Sequence, residues 1–532
     1  MRFIHPSRGA AAGTPAVPAA CRSLVLSPPL AVLISLAWLA ALAWIRPLSH
    51  PDEGRYVVVA LDMLRTGDWL TPRLAGMPFF HKPPLFYWIC AAGLKLFGVH
   101  EWVGRLPSLL GATMAAAGLL AFLRLFAAPQ LARASWLVLL TMPLFYMGAQ
   151  YANMDMLVAG CLTATVLLGA AAALRHQDGL PWRGLLAGAY AFAGITFLAK
   201  GLIGFVLPLA ILVLWSAWGR RWRQLQLLLW SPGWLVALVV AGPWMWAMQQ
   251  RHPQFWDYFI VTQHFRRFTQ QGFNNQQPLW FYPACILLAS LPWTALLASR
   301  RVLRPQRMPA LNTIDRLMVV WAVVVVGFFS LPHSKLVGYV MPAMPPLAYL
   351  LARLALWRMG SGRNRLAWWV GGAAAVCAAV ALALGTVAAP PSTQLRALRQ
   401  FAVQPQDKLV MLDGLAYELP FYLRVQGEPY VYSNWDDPKL AKMDNWKREL
   451  SDAAGFATPE QARQLIGPAQ LRGLLCGTQG VWVVSDRKDF VRSVPELATM
   501  APVFRAGDVR VWHAPQGSAL LKACGGEGLA AP

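Results

Sequence analysis

Residues 50–56 read His50-Pro51-Asp52-Glu53-Gly54-Arg55-Tyr56, and residues 80–88 read Phe80-His81-Lys82-Pro83-Pro84-Leu85-Phe86-Tyr87-Trp88. They lie in the first long polar interruption after the first apolar run, and two helices can be read between His50 and Gly98. One opens at Pro51 or Asp52, puts Tyr56, Ala60, Leu61 and Leu64 on one face, and stops at Gly67. The other opens at Pro83-Pro84 and ends at Gly98; proline is tolerated there because the first helical N–H groups have no partner. Both are amphipathic or too short to span a bilayer, so they are expected to lie flat on a membrane surface. Asp52 then sits in the first turn of one helix and Lys82 just ahead of the other. A carboxylate and an ammonium are thereby brought to the water–lipid boundary.

Outward from this stretch the chain is apolar. Of 532 residues, 57% are hydrophobic and 13% charged, against about 25% charged in soluble domains. The expected class is a polytopic α-helical membrane protein. The 25 tryptophans agree, because indoles collect at membrane interfaces. A net charge of +23 suits nucleic acid, but the basic residues come in short clusters between apolar runs. Nucleic acid is therefore set aside, and the lipid bilayer is the expected partner. The N-terminus carries Arg2, Arg8 and Arg22 ahead of an apolar run from Leu30 to Ile45. No small-x-small cleavage site follows that run, so it reads as a retained anchor.

Apolar runs of spanning length fall near 26–45, 104–126, 134–150, 154–174, 184–199, 201–218, 228–248, 279–299, 316–331, 336–356 and 366–388. This predicts about eleven transmembrane helices, up to about thirteen if a pair is split differently. Arginines sort into alternate loops: Arg124 and Arg133; Arg175 and Arg183; Arg220, Arg221 and Arg223; Arg300, Arg301, Arg304 and Arg307; Arg353, Arg358, Arg363 and Arg365. Those loops and the N-terminus are expected to be cytoplasmic, and the others to face outside, the periplasm of a Gram-negative inner membrane. The outer set comprises 46–103, 151–153, the region of 200, 249–278, 332–335 and everything after about 389. The expected domains are thus a membrane domain over 1–389, with 46–103 as its outer loop, and a periplasmic domain over 390–532. In that tail Lys408–Asp413, Pro429–Tyr432, Val481–Ser485 and Val509–His513 look like strands. Helical patterns at 414–425, 458–468 and 487–498 make it a small α/β domain. Cys476 and Cys524 are its two cysteines; an oxidising compartment allows them to pair, and spacing leaves open whether they do.

Ionisable residues beside spans are costly and mark functional sites. Here the unusual ones all fall on the expected outer side: Asp52, Glu53, Arg55, Lys82, Asp155, Lys200, His264, Arg266, Arg267, and Lys335 with Tyr339. Each has a plain alternative. Asp52 and Asp155 read equally as helix caps, Lys200 and Lys335 as cations snorkelling to headgroups, and His264–Phe268 as an interfacial helix with a basic face. The convergence on one face favours a site. Cations suit an anionic headgroup, and a carboxylate suits activation of a hydroxyl acceptor. The chain lacks H-E-x-x-H, C-x-x-C, P-loop and G-x-S-x-G motifs, so metalloprotease, kinase-like and hydrolase chemistries lack support.

With these residues in hand the chain resembles the GT-C glycosyltransferases, in particular the bacterial lipid A aminoarabinose transferases and their protein O-mannosyltransferase-like relatives. The resemblance rests on Asp52-Glu53-Gly54-Arg55-Tyr56, Gly67-Asp68-Trp69, Lys82-Pro83-Pro84-Leu85-x-Tyr87-Trp88, Asn153-Met154-Asp155 and Ala199-Lys200-Gly201-Leu202. It continues through His264-x-x-Arg267-Phe268, Pro278-Leu279-Trp280-Phe281-Tyr282, Leu291-Pro292-Trp293 and Ser334-Lys335-Leu336-x-x-Tyr339-x-x-Pro342. It implies Asp52 as catalytic carboxylate, assisted by Asp155. It implies a donor phosphate held by Lys82, Arg267, Lys335 and Tyr339, with Arg55, Lys200 and His264 grouped at the same site. Two departures concern the sugar: His81 stands where such transferases often have Glu, and Gly54 where a small hydroxyl residue is expected.

The implied reaction moves a sugar from a polyprenyl-phosphate (undecaprenyl-phosphate) donor to lipid A or another envelope glycolipid, with inversion at the anomeric carbon. No cofactor is expected, and a divalent metal is not indicated. Two other readings stay open: a protein O-glycosyltransferase, and a flippase or transporter of lipid-linked sugar. Transporters place ionisable residues near the bilayer midplane, and here they gather at one face.

Overall fold

The computed structural model describes residues 27–266, 275–298, 310–359, 363–386, 394–438, 440, 445–486, 491 and 493–521, with backbone alone at 264–266 and 363. Among these, six helices are long and apolar enough to cross a membrane: Leu106–Phe126, Met154–Gln177, Trp222–Arg251, Thr313–Ser330, Val337–Met359 and Asn364–Thr386. The pair Pro129–Leu140 and Pro143–Ala149, bent by 63°, makes a seventh. The sequence suggested eleven. Of the remaining apolar runs, 26–45 and 201–218 hold only the short helices Pro28–Ala40 (α1) and Ile203–Trp218, 279–299 is broken, and 184–199 lies in the 18-residue helix Arg183–Lys200, which carries a charged residue at each end. The run 279–299 divides into Phe281–Ala289 and the 3-10 turn Trp293–Ala298. Pro292 lies at the break, where it has no N–H to continue an α-helix.

The tightest packing is between Leu106–Phe126 and Met154–Gln177. A Cβ on Gly160 would lie 2.2 Å from the Gly111 carbonyl oxygen, so only glycine allows the backbones to touch. Small residues at a crossing serve this purpose in membranes, where apolar surface alone gives helices little reason to associate.

The polar loop folds as two helices, Asp52–Thr66 (α2) and Leu85–Phe97 (α3). Asp52 and Glu53 stand at the positive end of the α2 dipole, and Gly67 closes the helix in the left-handed conformation, φ 71°. Gly98, φ 82°, ends α3. Between them a short hairpin, Arg73–Leu74 (β1) and Met77–Pro78 (β2), turns through Ala75 and Gly76. Both turn residues have positive φ, as a two-residue hairpin turn requires. The hairpin was not expected, because alanine is an uncommon residue at such a position.

After the membrane helices comes a six-stranded sheet of Lys408–Leu412 (β3), Tyr430–Tyr432 (β4), Leu465–Ile466 (β5), Val481–Ser485 (β6), Phe504–Ala506 (β7) and Val509–Ala514 (β8). The order is β5-β4-β3-β6-β8-β7, parallel from β5 to β6 and antiparallel beyond. The four expected strands are present. Leu465–Ile466 pairs as a strand where the helical pattern 458–468 was read, so only Pro459–Ala462 is helical there. Cys476 is disulfide-bonded; Cys524, the other cysteine of this domain, lies outside the described residues, as does the expected domain boundary at 389.

One hydrophobic core joins the loop to this domain. Val57, Ala60, Phe86 and Tyr87 of α2 and α3 share it with Leu415, Tyr417, Leu419 and Tyr422. The α2–domain contact is close: a Cβ on Gly54 would lie 2.8 Å from the Glu418 backbone nitrogen. This accounts for glycine at the position where the family resemblance suggested a small hydroxyl residue.

Candidate active site

The start of α2 is locked from below. Glu53 and Arg105 are fully buried and paired at 2.8 Å. Arg105 also donates to the carbonyls of Ala43, Arg46 and Pro47. Glu53 accepts from the backbone N–H of Ser49 and of Ala152, at 2.9 and 2.7 Å. Burial alone would raise the Glu53 carboxyl, but Arg105 outweighs it and holds the group at about 2. Glu53 therefore ties the segment bearing Asp52 to the segment bearing Asp155, and all of its charge is used in doing so.

Above this lock lies a cavity lined by Asp52, Arg55, Tyr56, Phe79, His81, Lys82, Asn153, Met154, Asp155, Lys200, Leu336, Tyr339 and Glu449. Six residues singled out in the sequence meet here: Asp52, Arg55, Lys82, Asp155, Lys200 and Tyr339. They come from α2, the loop before α3, the start of the span Met154–Gln177, the end of the helix Arg183–Lys200, and the 3-10 segment Val337–Ala343.

The capping alternatives do not hold. No side chain caps α2, and Asp52 Oδ1 instead accepts from Arg55 at 2.7 Å. Asn153 caps the helix Met154–Gln177, accepting from the Asp155 N–H at 3.1 Å. That leaves the Asp155 carboxylate to pair with the Lys200 ammonium, which lies 4.1 Å from the Tyr339 ring centroid. The fit is tight, since a Cβ on Gly338 would come 2.1 Å from Asp155 Oδ2. Burial pushes the Asp52 carboxyl up from its ordinary value; Arg55 opposes this, while Asp155 and Glu449 add to it. A carboxylate so placed is a better base than one in water.

The remaining expectations fare differently. Lys335 is buried and does not line this cavity: its ammonium donates to the Gln277 carbonyl at 2.7 Å. Its N–H bonds the Asn275 carbonyl, so the residue clips two loops together. The lysine was expected beside the phosphate because sequence spacing shows which loop holds a cation, but not which carbonyl satisfies it. The His264 side chain and Arg267 lie outside the described residues.

Several lining residues were not foreseen. Glu449 comes from the helix Trp446–Ala454 of the C-terminal domain, capped by Asn445. It accepts from Arg55 at 2.6 Å and from the Tyr417 hydroxyl at 3.2 Å. The asparagine cap followed by Leu450 and Ala453 at helical spacing is the signal that would have located this helix. His81 stacks on Phe79 with ring centroids 4.6 Å apart, and its Nε2 is 2.9 Å from the Tyr258 hydroxyl. Tyr258 donates in turn to Asp452 at 3.0 Å. Among the described residues no group of three or more His, Cys, Asp or Glu is placed to hold a metal ion.

Comparison with known proteins agrees with the sequence resemblance. The family model described as dolichyl-phosphate-mannose-protein mannosyltransferase matches residues 81–246. A protein of Erwinia tasmaniensis named undecaprenyl phosphate-alpha-4-amino-4-deoxy-L-arabinose arabinosyl transferase is 34% identical over 329 residues, 60% of this chain and 58% of the relative. A protein of that name from Aeromonas salmonicida is 32% identical over 363 residues, 65% of this chain and 63% of the relative. The chain thus spans less than two thirds of these curated relatives. Among solved structures, ArnT from Cupriavidus metallidurans bound to undecaprenyl phosphate superposes with a TM-score of 0.75, at 23% identity, over 91% of this chain and 97% of that one. The chain shares the fold of that protein over nine tenths of its length.

Proposed function

We propose that this GT-C-fold membrane protein, similar in sequence to aminoarabinose transferases, moves a sugar from an undecaprenyl-phosphate donor to lipid A or another envelope glycolipid. Catalysis would take place at the periplasmic face of the inner membrane, with the N-terminus cytoplasmic. The observation that carries this reading is the cavity itself. Arg55, Lys82 and Lys200 converge there from three separate segments, beside Asp52, Asp155 and Glu449, and burial raises the pKa of Asp52. Scattered snorkelling cations would have no reason to meet.

In the reaction the acceptor hydroxyl oxygen attacks the anomeric carbon as the bond from that carbon to the phosphate oxygen breaks. The electron pair leaves with the lipid phosphate, whose growing negative charge the fixed cations stabilise. The hydroxyl proton passes to Asp52. A single in-line displacement inverts the anomeric centre. Asp155 holds Lys200 over the Tyr339 ring and so aims that cation. The sugar arrives already attached to lipid, so no nucleotide-binding motif is required.

Mass spectrometry of envelope lipids from cells with and without the protein tests this. A protein-dependent increment of one sugar on a glycolipid is the expected result. The same increment on protein would favour the O-glycosyltransferase reading, to which the family model's description lends support. No covalent product anywhere would favour transport.

A further inference from the structure

We propose that Glu449, delivered to the cavity by the C-terminal domain, is a positioning residue: it holds the far side of the Arg55 guanidinium and so governs how much of that cation's charge Asp52 feels. The proposal rests on the transfer reading above.

The geometry is a three-membered chain. Arg55 gives Nη2 to Asp52 at 2.7 Å and Nη1 to Glu449 at 2.6 Å. Glu449 spends its second oxygen on the Tyr417 hydroxyl at 3.2 Å. The guanidinium lies 5.2 Å from the Tyr56 ring centroid and 5.8 Å from that of Tyr417. One arginine is thereby shared between a carboxylate of the membrane domain and a carboxylate of the C-terminal domain. Among the described lining residues Glu449 alone comes from beyond residue 389.

A shared cation neutralises each partner less than an exclusive one does. With Glu449 ionised, Asp52 keeps basicity that an undivided Arg55 would remove. The other charged and titratable groups around Asp52 do not duplicate this role. His50, just before it, is paired with Glu418. Asp155 and Lys200 pair with each other, and Tyr56, His81, Lys82 and Tyr339 complete the lining. Removing the Glu449 charge is therefore expected to leave donor binding intact and to weaken the base. A residue that merely glued the two domains together would lower the amount of folded protein without altering how the rate responds to pH.

The experiment uses the full-length protein in detergent, an undecaprenyl-phosphate-linked sugar as donor, and a glycolipid acceptor. In Glu449→Gln, which preserves size and one acceptor oxygen while removing the charge, the acid limb of the kcat/KM profile should move to lower pH. Its kcat should fall roughly threefold to tenfold, since each pKa unit of basicity lost costs at most about a factor of ten. KM for the donor should stay near wild type. Tyr417→Phe, which takes the hydroxyl from the second oxygen of Glu449 and leaves more of that charge to Arg55, should shift the limb the opposite way and by less, and Glu449→Asp, which keeps the charge, should move it less than Glu449→Gln does. These two variants decide the matter if Glu449→Gln does not fold. An acid limb unmoved in all variants that fold, or a rise confined to KM, overturns the proposal. Absence of transfer by the wild type instead brings down the transfer reading, and this proposal with it.

Discussion

Replacing Glu53 by glutamine is expected to be among the most destabilising single changes at the start of α2, although Glu53 does not line the cavity. The structure sets the size of the effect. Both Glu53 and Arg105 are fully buried. Neutralising the carboxylate leaves a guanidinium out of water with only the carbonyls of Ala43, Arg46 and Pro47 for company. Breaking a buried pair from one side costs about 3–5 kcal/mol. A glutamine also cannot accept from both Ser49 N–H and Ala152 N–H while facing Arg105, and a buried donor left without a partner adds about 1–3 kcal/mol. Against a total stability on the order of 5–15 kcal/mol, that is enough to unfold much of the population. Chemical unfolding in detergent micelles is the assay, on Glu53→Gln, Arg105→Met and the double variant. The double should cost less than the sum of the singles by about 0.5–3 kcal/mol, because neither charge is then left alone. Singles within about 1 kcal/mol of wild type, or strict additivity, would refute the argument that this pair anchors the site.

Two further changes probe the neighbourhood. Gly338→Ala should reduce transfer by about 10²-fold with normal insertion, because its Cβ displaces Asp155 and the lysine aimed by it; equal activity in membranes with matched protein levels would contradict the tight fit. Asp62, buried in α2, lies beside Glu428 of the C-terminal domain, and burial together with that carboxylate pushes its pKa up to about 9, against the pull of Arg73 and Arg65. The folded state thus holds a proton that the unfolded chain gives up near the ordinary value of 3.8. Stability from this group is complete below about pH 4 and is lost as pH rises through about 9. Asp62→Asn should flatten that decline, and thermal unfolding curves running parallel to wild type across this window would refute the assignment.

Much of the local structure was legible because it depends on neighbours in sequence. Gly67 and Gly98 end helices wherever they occur at such points, and Pro83-Pro84 can only precede one. The valine- and tryptophan-rich stretches Val481–Ser485 and Val509–His513 carried through to paired strands. The convergence of Asp52, Arg55, Lys82, Asp155, Lys200 and Tyr339 followed from a membrane having two faces, which reduces a search in space to a choice of side. What stayed hidden depends on contacts between distant segments. Glu449 meets Arg55 across 394 residues, and no local pattern reports that. Lys335 satisfies its charge on a carbonyl 58 residues away, a partner that composition does not distinguish from a phosphate. Breaks in apolar runs, as at Pro292, leave hydropathy unchanged while halving a helix.

Asp52 is the proposed base in transfer from a lipid-linked donor. The most direct test of that role measures transfer by purified wild type and Asp52→Asn, at matched amounts of folded protein, from an undecaprenyl-phosphate-linked aminoarabinose to lipid A. Asparagine keeps the size and still accepts from Arg55 but carries no charge. Sugar-bearing product and released undecaprenyl phosphate are expected with wild type, and a rate lower by about 10²–10⁴-fold with Asp52→Asn, if Asp52 is the base. Product formed by Asp52→Asn at the wild-type rate would contradict it.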